Sequence, residues 1–154
     1  MAGYDIVIVG AGPGGYVAAI RAAQLGLNTA LVEKEERLGG TCLNVGCIPT
    51  KALLESSEHY HKAVSGLAEH GVRVGDVELN LPRLVERKNS VVKTLTDGIA
   101  KLMKRHKVDV IRGTGQVLSA HEVHVGETAL ATKAVLLAMG SVPVELPHLP
   151  IDGE

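Results

Sequence analysis

Two cysteines and a glycine-rich turn hold the chemistry open to this sequence. Cys42 and Cys47 are its only cysteines, five positions apart within residues 39–54, GGTCLNVGCIPTKALL. Two thiols do not complete a zinc site or staple a secreted scaffold, so redox chemistry is their remaining distinctive use. Along a regular helix five residues rise about 7.5 Å, beyond the usual reach of a disulfide, so bridging needs an irregular turn. Asn44 and Gly46 can supply one. A helix starting near Pro49 aims its N-terminus at Cys47, and Lys51 adds positive charge, which together predict a readily ionised, nucleophilic or charge-donating sulfur.

The second constellation is Gly10, Gly12 and Gly15, a G-x-G-x-x-G run that includes Pro13 and Gly14. The first glycine permits a tight turn and the second lets backbone approach a pyrophosphate. The third lets helix and strand pack, while the helix N-terminus offers free N–H groups and a positive dipole end. Glu33 stands eighteen positions after Gly15, at the end of the next strand, where its carboxylate can accept hydrogen bonds from both hydroxyls of an adenosine ribose. The same charge would repel a 2′-phosphate. The spacing predicts dinucleotide binding.

Elements able to position these groups are legible in the hydrophobic pattern. Residues 4–9 form a short β-branched run, 13–25 an Ala-rich helix stopped by Gly26, and 28–32 a second buried strand, making a β-α-β unit with parallel strands. A helix is predicted over 49–66 with Pro49 at its first position, and a loop over 71–80. Residues 81–107 read as a long helix whose apolar stripe is Leu84, Val91, Leu95, Ile99 and Leu102, with Gly98 as a weak point. A buried strand follows at 108–111. Three short alternating runs over 116–131 predict a small antiparallel meander, and 134–138 one further apolar strand. Pro143, Pro147 and Pro150 make the remainder an extended exit segment. The expected fold class is α/β, a Rossmann-like dinucleotide-binding domain with a parallel sheet, helices on its faces and a three-stranded antiparallel meander, taken as one domain over 1–154.

The segment TCLNVGCIPTKALL resembles the pyridine nucleotide-disulfide oxidoreductases, and within that family the dihydrolipoyl dehydrogenase branch. Relatives of the glutathione and mercuric reductase type place Val-Pro after the second cysteine, where this chain has Ile48-Pro49; Leu43 and the following ESSEHYHKA also fit the lipoyl branch. The resemblance implies that Gly10 to Gly15 hold the FAD pyrophosphate and Glu33 the adenosine ribose, with Lys34, Gly40 and Thr41 lining the cofactor. It implies that Cys47 lies against the flavin, that Cys42 forms the mixed disulfide with dihydrolipoamide, and that Lys51 sits beside the flavin's reactive edge. Gly115 would meet the adenine end, and Met139-Gly140-Ser141 takes the place of the family's Thr-Gly-Ser. Met139 is a departure that leaves a backbone contact possible and removes any threonine hydroxyl.

By the same resemblance the activity is oxidation of dihydrolipoamide, or of a lipoyl domain in a 2-oxo acid dehydrogenase complex, with NAD as final acceptor. The family enzyme is a homodimer about three times as long. Its NAD fold, the strand closing the FAD domain and the interface domain with a His-Glu pair find no match in these 154 residues, so the chain alone is expected to fall short of turnover. The alternatives are an FAD-binding module without NAD-linked activity, or a glutathione or mercuric reductase-type relative. The seven histidines match no catalytic position and read as surface or loop residues. Lys101, Lys104, Arg105 and Lys107 read as a solvated helix end. A net charge of -1 and three aromatic residues, all Tyr, argue against nucleic acid. The opening stretch breaks into glycine too early for a signal peptide or membrane span, so a cytoplasmic location, or a mitochondrial matrix one in a eukaryote, is expected.

Overall fold

A computed structural model describes residues 3–148. Its elements are β1 (Tyr4–Val9), α1 (Pro13–Gln24), β2 (Thr29–Glu33), α2 (Gly40–Asn44), α3 (Cys47–His61), α4 (Leu81–Arg105), β3 (Asp109–Arg112), β4 (Gly115–Ser119), β5 (Glu122–Val125) and β6 (Thr128–Leu137). A π turn (Lys62–Gly66) and a 3-10 turn (Ala68–His70) continue the chain beyond α3.

The strands run in the order β3-β2-β1-β6-β5-β4. The first four are parallel, with Val7 opposite Ala30 of β2 and Val135 of β6. Alternation along β1 sends Ile8 to one face and Val7 and Val9 to the other. Ile8 and Leu31 pack beneath α1 and α4 with Ala19, Ile99 and Met103, while Val7, Val9, Ala30 and Val32 pack against Val123, Val125 and Leu130. The parallel sheet therefore lies between helices on one face and the antiparallel strands on the other. Both faces are dry, which is why β2 is apolar without a break from Ala30 to Val32.

Local sequence explains the ends of these elements. Proline at the first position of α1 loses nothing, because that N–H has no intrahelical acceptor, and Gly26 at φ +84° stops the chain after the helix. Small buried residues, Gly15, Ala19 and Ala22, let α1 lie close on the sheet. Asn80 caps α4, its Oδ1 accepting from the Arg83 N–H at 2.9 Å.

Three expectations are corrected. The last run of the meander and the strand over 134–138 are one strand, β6, which pairs antiparallel with β5 through Ala131 and parallel with β1 from Thr132. No turn-forming residue separates the two halves, so the chain changes partner without leaving extended geometry. In α4 the buried stripe is Val92, Thr96, Ile99 and Met103, while Leu95 and Leu102 are exposed. Thr96 tolerates burial because its hydroxyl donates to the Val92 and Lys93 carbonyls. Gly98 does not interrupt the helix. The helix after the cysteines starts at Cys47 rather than Pro49, so the proline is its third residue, still among the orphan N–H positions. Pro150 lies outside the described residues.

Candidate functional site

The site assembles where the parallel strands end. Gly10 follows β1, Glu33 closes β2, and Met139 lies two positions beyond β6, so three carboxyl ends of one sheet meet, the place where open α/β sheets bind ligands. Gly10 turns at φ +100°, and a Cβ there would overlap the Ala138 carbonyl and lie 2.9 Å from the Met139 Cα. A Cβ on Gly15 would overlap the Gly10 carbonyl oxygen. Around Gly12, by contrast, a Cβ would meet nothing within 4 Å. The first and third glycines are thus required by packing, and the second keeps an approach open.

That approach suits a pyrophosphate. No side chain caps α1 and its first turn holds no acidic residue, so its N–H groups and positive dipole end face the open side of Gly12. Glu33 is buried at 7% exposure, its Oε2 accepting from the Ala11 N–H at 2.8 Å and its Oε1 from the Glu35 N–H at 2.9 Å. A carboxylate has about four lone-pair sites, so two remain for a ribose diol. These residues fit a dinucleotide such as FAD.

The dithiol segment is packed directly onto this loop. Gly39 donates its N–H to the Ala11 carbonyl at 2.8 Å, and a Cβ on Gly40 would fall 2.7 Å from the Gly12 Cα. Gly39 and Gly40 both have positive φ, 108° and 58°, so only glycine takes this path cheaply. Cys42 then sits in the single turn of α2, and Cys47 begins α3 after the break at Val45 and Gly46. The irregular turn expected between the cysteines is therefore a short helix followed by a break, with the Gly46 N–H and the Val45 N–H both directed at the Thr41 carbonyl. The two thiols are free, one on each side of that break. Hydrogen bonding to the Cys47 side chain, with partial desolvation, pushes the Cys42 thiol above the usual range, while Lys51 and the Cys47 N–H pull weakly the other way. Cys42 is half-buried and Cys47 exposed.

The remaining expected residues are placed less tightly. Pro13, Gly14, Thr41 and Lys51 are exposed around the loop and the dithiol. Gly115 packs against Val9 and Val32, whose Cγ1 atoms would lie 3.0 and 3.2 Å from a Cβ there, so it reaches the same sheet edge from the antiparallel side. Lys34 is exposed and pairs loosely with Glu35 at 3.8 Å. Gly140 and Ser141 follow Met139 into exposed chain, Gly140 at φ +74°. Three residues with a structural part in the site were not anticipated. Ala11 and Gly39 act through backbone groups only, and Arg112 donates from Nη1 to the Glu35 carbonyl at 2.6 Å, holding the turn after Glu33. No periodicity or motif marks a peptide group, so only the arginine left a signal, a lone cation at the end of β3.

Residues 4–154 match the family described as pyridine nucleotide-disulphide oxidoreductase. The chain is 50% identical over 153 residues to dihydrolipoyl dehydrogenase 1, mitochondrial, of Arabidopsis thaliana, covering 96% of this chain and 30% of that protein. It is 48% identical over 153 residues to the leghemoglobin reductase of Vigna unguiculata, covering 96% and 29%. Among solved structures, the copper(II) complex of the HOCl-induced flavoprotein disulfide reductase RclA from Escherichia coli superposes with a TM-score of 0.78 at 27% identity, covering 96% of this chain and 31% of that one. The chain thus spans about 30% of the length of the curated relatives it matches. With a glycine loop, a buried carboxylate and a dithiol on one sheet edge, the chain belongs to the pyridine nucleotide-disulphide oxidoreductase family, the flavin disulfide oxidoreductases.

Proposed function

We propose that these residues are the FAD-binding lobe and redox centre of a dihydrolipoyl dehydrogenase. The observation that carries the reading is the pair Cys42 and Cys47, set on either side of a helix break in a segment bonded to the glycine loop. Relatives about half identical over nearly the whole chain and named dihydrolipoyl dehydrogenases support it. In this reading Gly10 to Gly15 take the pyrophosphate, Glu33 and Lys34 the adenosine ribose end, and Gly40, Thr41 and Lys51 the flavin side. Gly115 and residues 139–141 offer backbone groups.

The substrate step is thiol–disulfide exchange. One thiolate of dihydrolipoamide attacks the Cys42 sulfur of the oxidised pair, the Cys42–Cys47 bond breaks, and Cys47 leaves as a thiolate. The second lipoyl thiol then displaces Cys42, so the lipoyl group leaves as its cyclic disulfide and the pair holds two electrons and two protons. FAD, when bound, supplies a two-electron acceptor beside the dithiol. NAD is the final acceptor, held by a second dinucleotide fold of a homodimeric full-length protein. The partner is the lipoyl domain of a 2-oxo acid dehydrogenase complex, in the mitochondrial matrix of a eukaryote or the cytoplasm of a bacterium. No helix among the described residues is long and apolar enough to cross a membrane.

In the full-length protein, Cys47→Ser is expected to reduce dihydrolipoamide turnover at least about a thousandfold while FAD stays bound, because the exchange has lost its leaving sulfur. Retained turnover sinks the assignment. For the 154 residues alone, their share of the relatives' length favours a second reading, a flavin-binding module without NAD-linked activity. NADH oxidation coupled to lipoamide reduction by these residues alone would rule that out. A long-wavelength charge-transfer band on dithiol reduction would place the flavin against a cysteine thiolate.

A further inference from the structure

One peptide unit links the two halves of the site. The Ala11 N–H donates to Glu33 Oε2 and the Ala11 carbonyl accepts from the Gly39 N–H, each at 2.8 Å. Glu33 spends its other oxygen on the Glu35 N–H at 2.9 Å, and Arg112 grips the Glu35 carbonyl from behind. The carboxylate is buried, and no cation pairs with it among the described residues. Backbone N–H groups and the positive end of α1 are what its charge interacts with. On the far side of Ala11, Gly39 opens directly into α2, and Gly40 leaves no room for movement toward Gly12.

We infer that Glu33, beyond any contact with a ribose, is a positioning residue for the dithiol. It holds the Ala11 peptide, and that peptide holds the entrance of the helix carrying Cys42. A hydrogen bond to an ionised acceptor is about twice as strong as a neutral one, so the carboxylate fixes the peptide more firmly than an amide or hydroxyl could. The ribose end and the thiol end of the site are thereby one mechanical unit. The inference rests on reading Cys42 and Cys47 as the redox pair; the bonds that carry it do not.

The test is residue-resolved amide exchange and thiol alkylation on the full-length protein, reduced and stripped of flavin so that ribose contact plays no part. Wild type is compared with Glu33→Met, which keeps the length and accepts from no amide, and with Glu33→Gln, whose single oxygen serves Ala11 or Glu35 but not both. In Glu33→Met the Ala11 and Gly39 amides should exchange about tenfold faster or more. Iodoacetamide should react several-fold faster with Cys42, Glu33→Gln should fall between, and the Val123 amide in β5 should not change. Unchanged Gly39 exchange and unchanged alkylation in folded Glu33→Met overturn the inference. Should that variant not fold, wild type decides: a common opening equilibrium for Ala11 and Gly39 across a denaturant series supports one unit, and independent opening overturns it. Neither readout requires turnover, so a failed lipoamide assay would count against the proposed function and not against this linkage.

Discussion

The carboxyl edge of the parallel strands and the hairpin joining β5 to β6 are both built on glycine, and the glycines answer different demands. At the carboxyl edge, Gly10, Gly15 and Gly40 are places where a second piece of backbone occupies the space of a side chain. At the hairpin, Gly126 has φ +58° and open space around it. One region uses glycine so that chains can touch, the other so that a chain can turn. Close backbone contact is what lets the dithiol segment share hydrogen bonds with the cofactor loop, so the costly glycines mark the chemistry and the cheap one marks only topology.

The same substitution tests both halves of that contrast. Gly15→Ala sets a methyl into the Gly10 carbonyl, backbone against backbone with no rotamer to relieve it, and should cost more than about 4 kcal/mol or prevent folding and FAD uptake together. Gly126→Ala meets only the left-handed conformational penalty, about 1 kcal/mol, and should leave FAD content alone. Urea unfolding and flavin content of the two variants decide it; equal losses would dissolve the distinction.

The antiparallel strands can be weakened at a residue outside the carboxylate, the glycine loop and the dithiol, although Gly115 of β4 borders the same sheet edge, and this sharpens the contrast from the other side. Val123 is fully buried and closes the face of the sheet over Val7, Val9, Ala30 and Val32. Val123→Ala should cost about 2 kcal/mol from lost apolar contact and the cavity left behind. Because the carboxylate, the glycine loop and the dithiol lie in other elements, cofactor affinity should hold below the new melting temperature. A fall in FAD affinity beyond the fall in stability would show that the meander shapes the site.

How much of this was legible beforehand follows from which atoms do the work. The β-α-β unit, the glycine turn, Glu33 and the dithiol all announce themselves through side chains, or their absence, at fixed spacing. The linkage through Ala11 and Gly39 uses peptide groups that every residue carries, so nothing in the sequence marks it. In α4 the expected Ile99 is buried, whereas Leu95 and Leu102 fall one position short of the buried Thr96 and Met103 for a related reason. Thr96 satisfies its hydroxyl on its own helix and can be buried, whereas hydrophobicity alone favours Leu95 and Leu102. In β6, the residues over 128–137 suit either pairing, and only the arrival of β1 beside Thr132 decides where antiparallel ends and parallel begins.

Within the site the cysteines can be told apart by pH. The Cys42 thiol is raised chiefly by its hydrogen bond to the Cys47 side chain, then by desolvation and by the Cys47 charge. A raised value in the folded state means that this interaction stabilises the fold below the thiol's unfolded value and is lost as pH rises through the folded one. Alkylation requires the thiolate, so the rate for Cys42 should reach its midpoint at higher pH than for an ordinary thiol. Cys47→Ala should bring that midpoint back down, whereas an unmoved midpoint would mean that the sulfurs do not share a proton.

The smallest effect concerns a place where glycine would be expected and is missing. Lys107 has φ +56°, the one positive value outside glycine among the described residues. It follows α4 in a Schellman arrangement, with Val108 N–H donating to the Met103 carbonyl at 3.0 Å and Lys107 N–H to that of Lys104 at 3.2 Å. Met103 and Val108 are both buried, so the turn is fixed from inside and the backbone must bear the strain. Lys107→Gly removes that strain, about 1 kcal/mol, but also removes a cation from the negative end of the α4 dipole, which offsets about 0.3–1 kcal/mol of it. Salt screens the second effect and leaves the first. The stability gained should therefore be about 0–0.7 kcal/mol at low ionic strength and approach about 1 kcal/mol in molar salt, read from paired urea titrations. A gain independent of salt would mean that the lysine contributes nothing to the dipole, and no gain in molar salt would mean that the turn relaxes by other means. Lys107 lies at the opposite end of the strands from the cofactor loop, so neither outcome should alter FAD content; there a missing glycine costs stability alone.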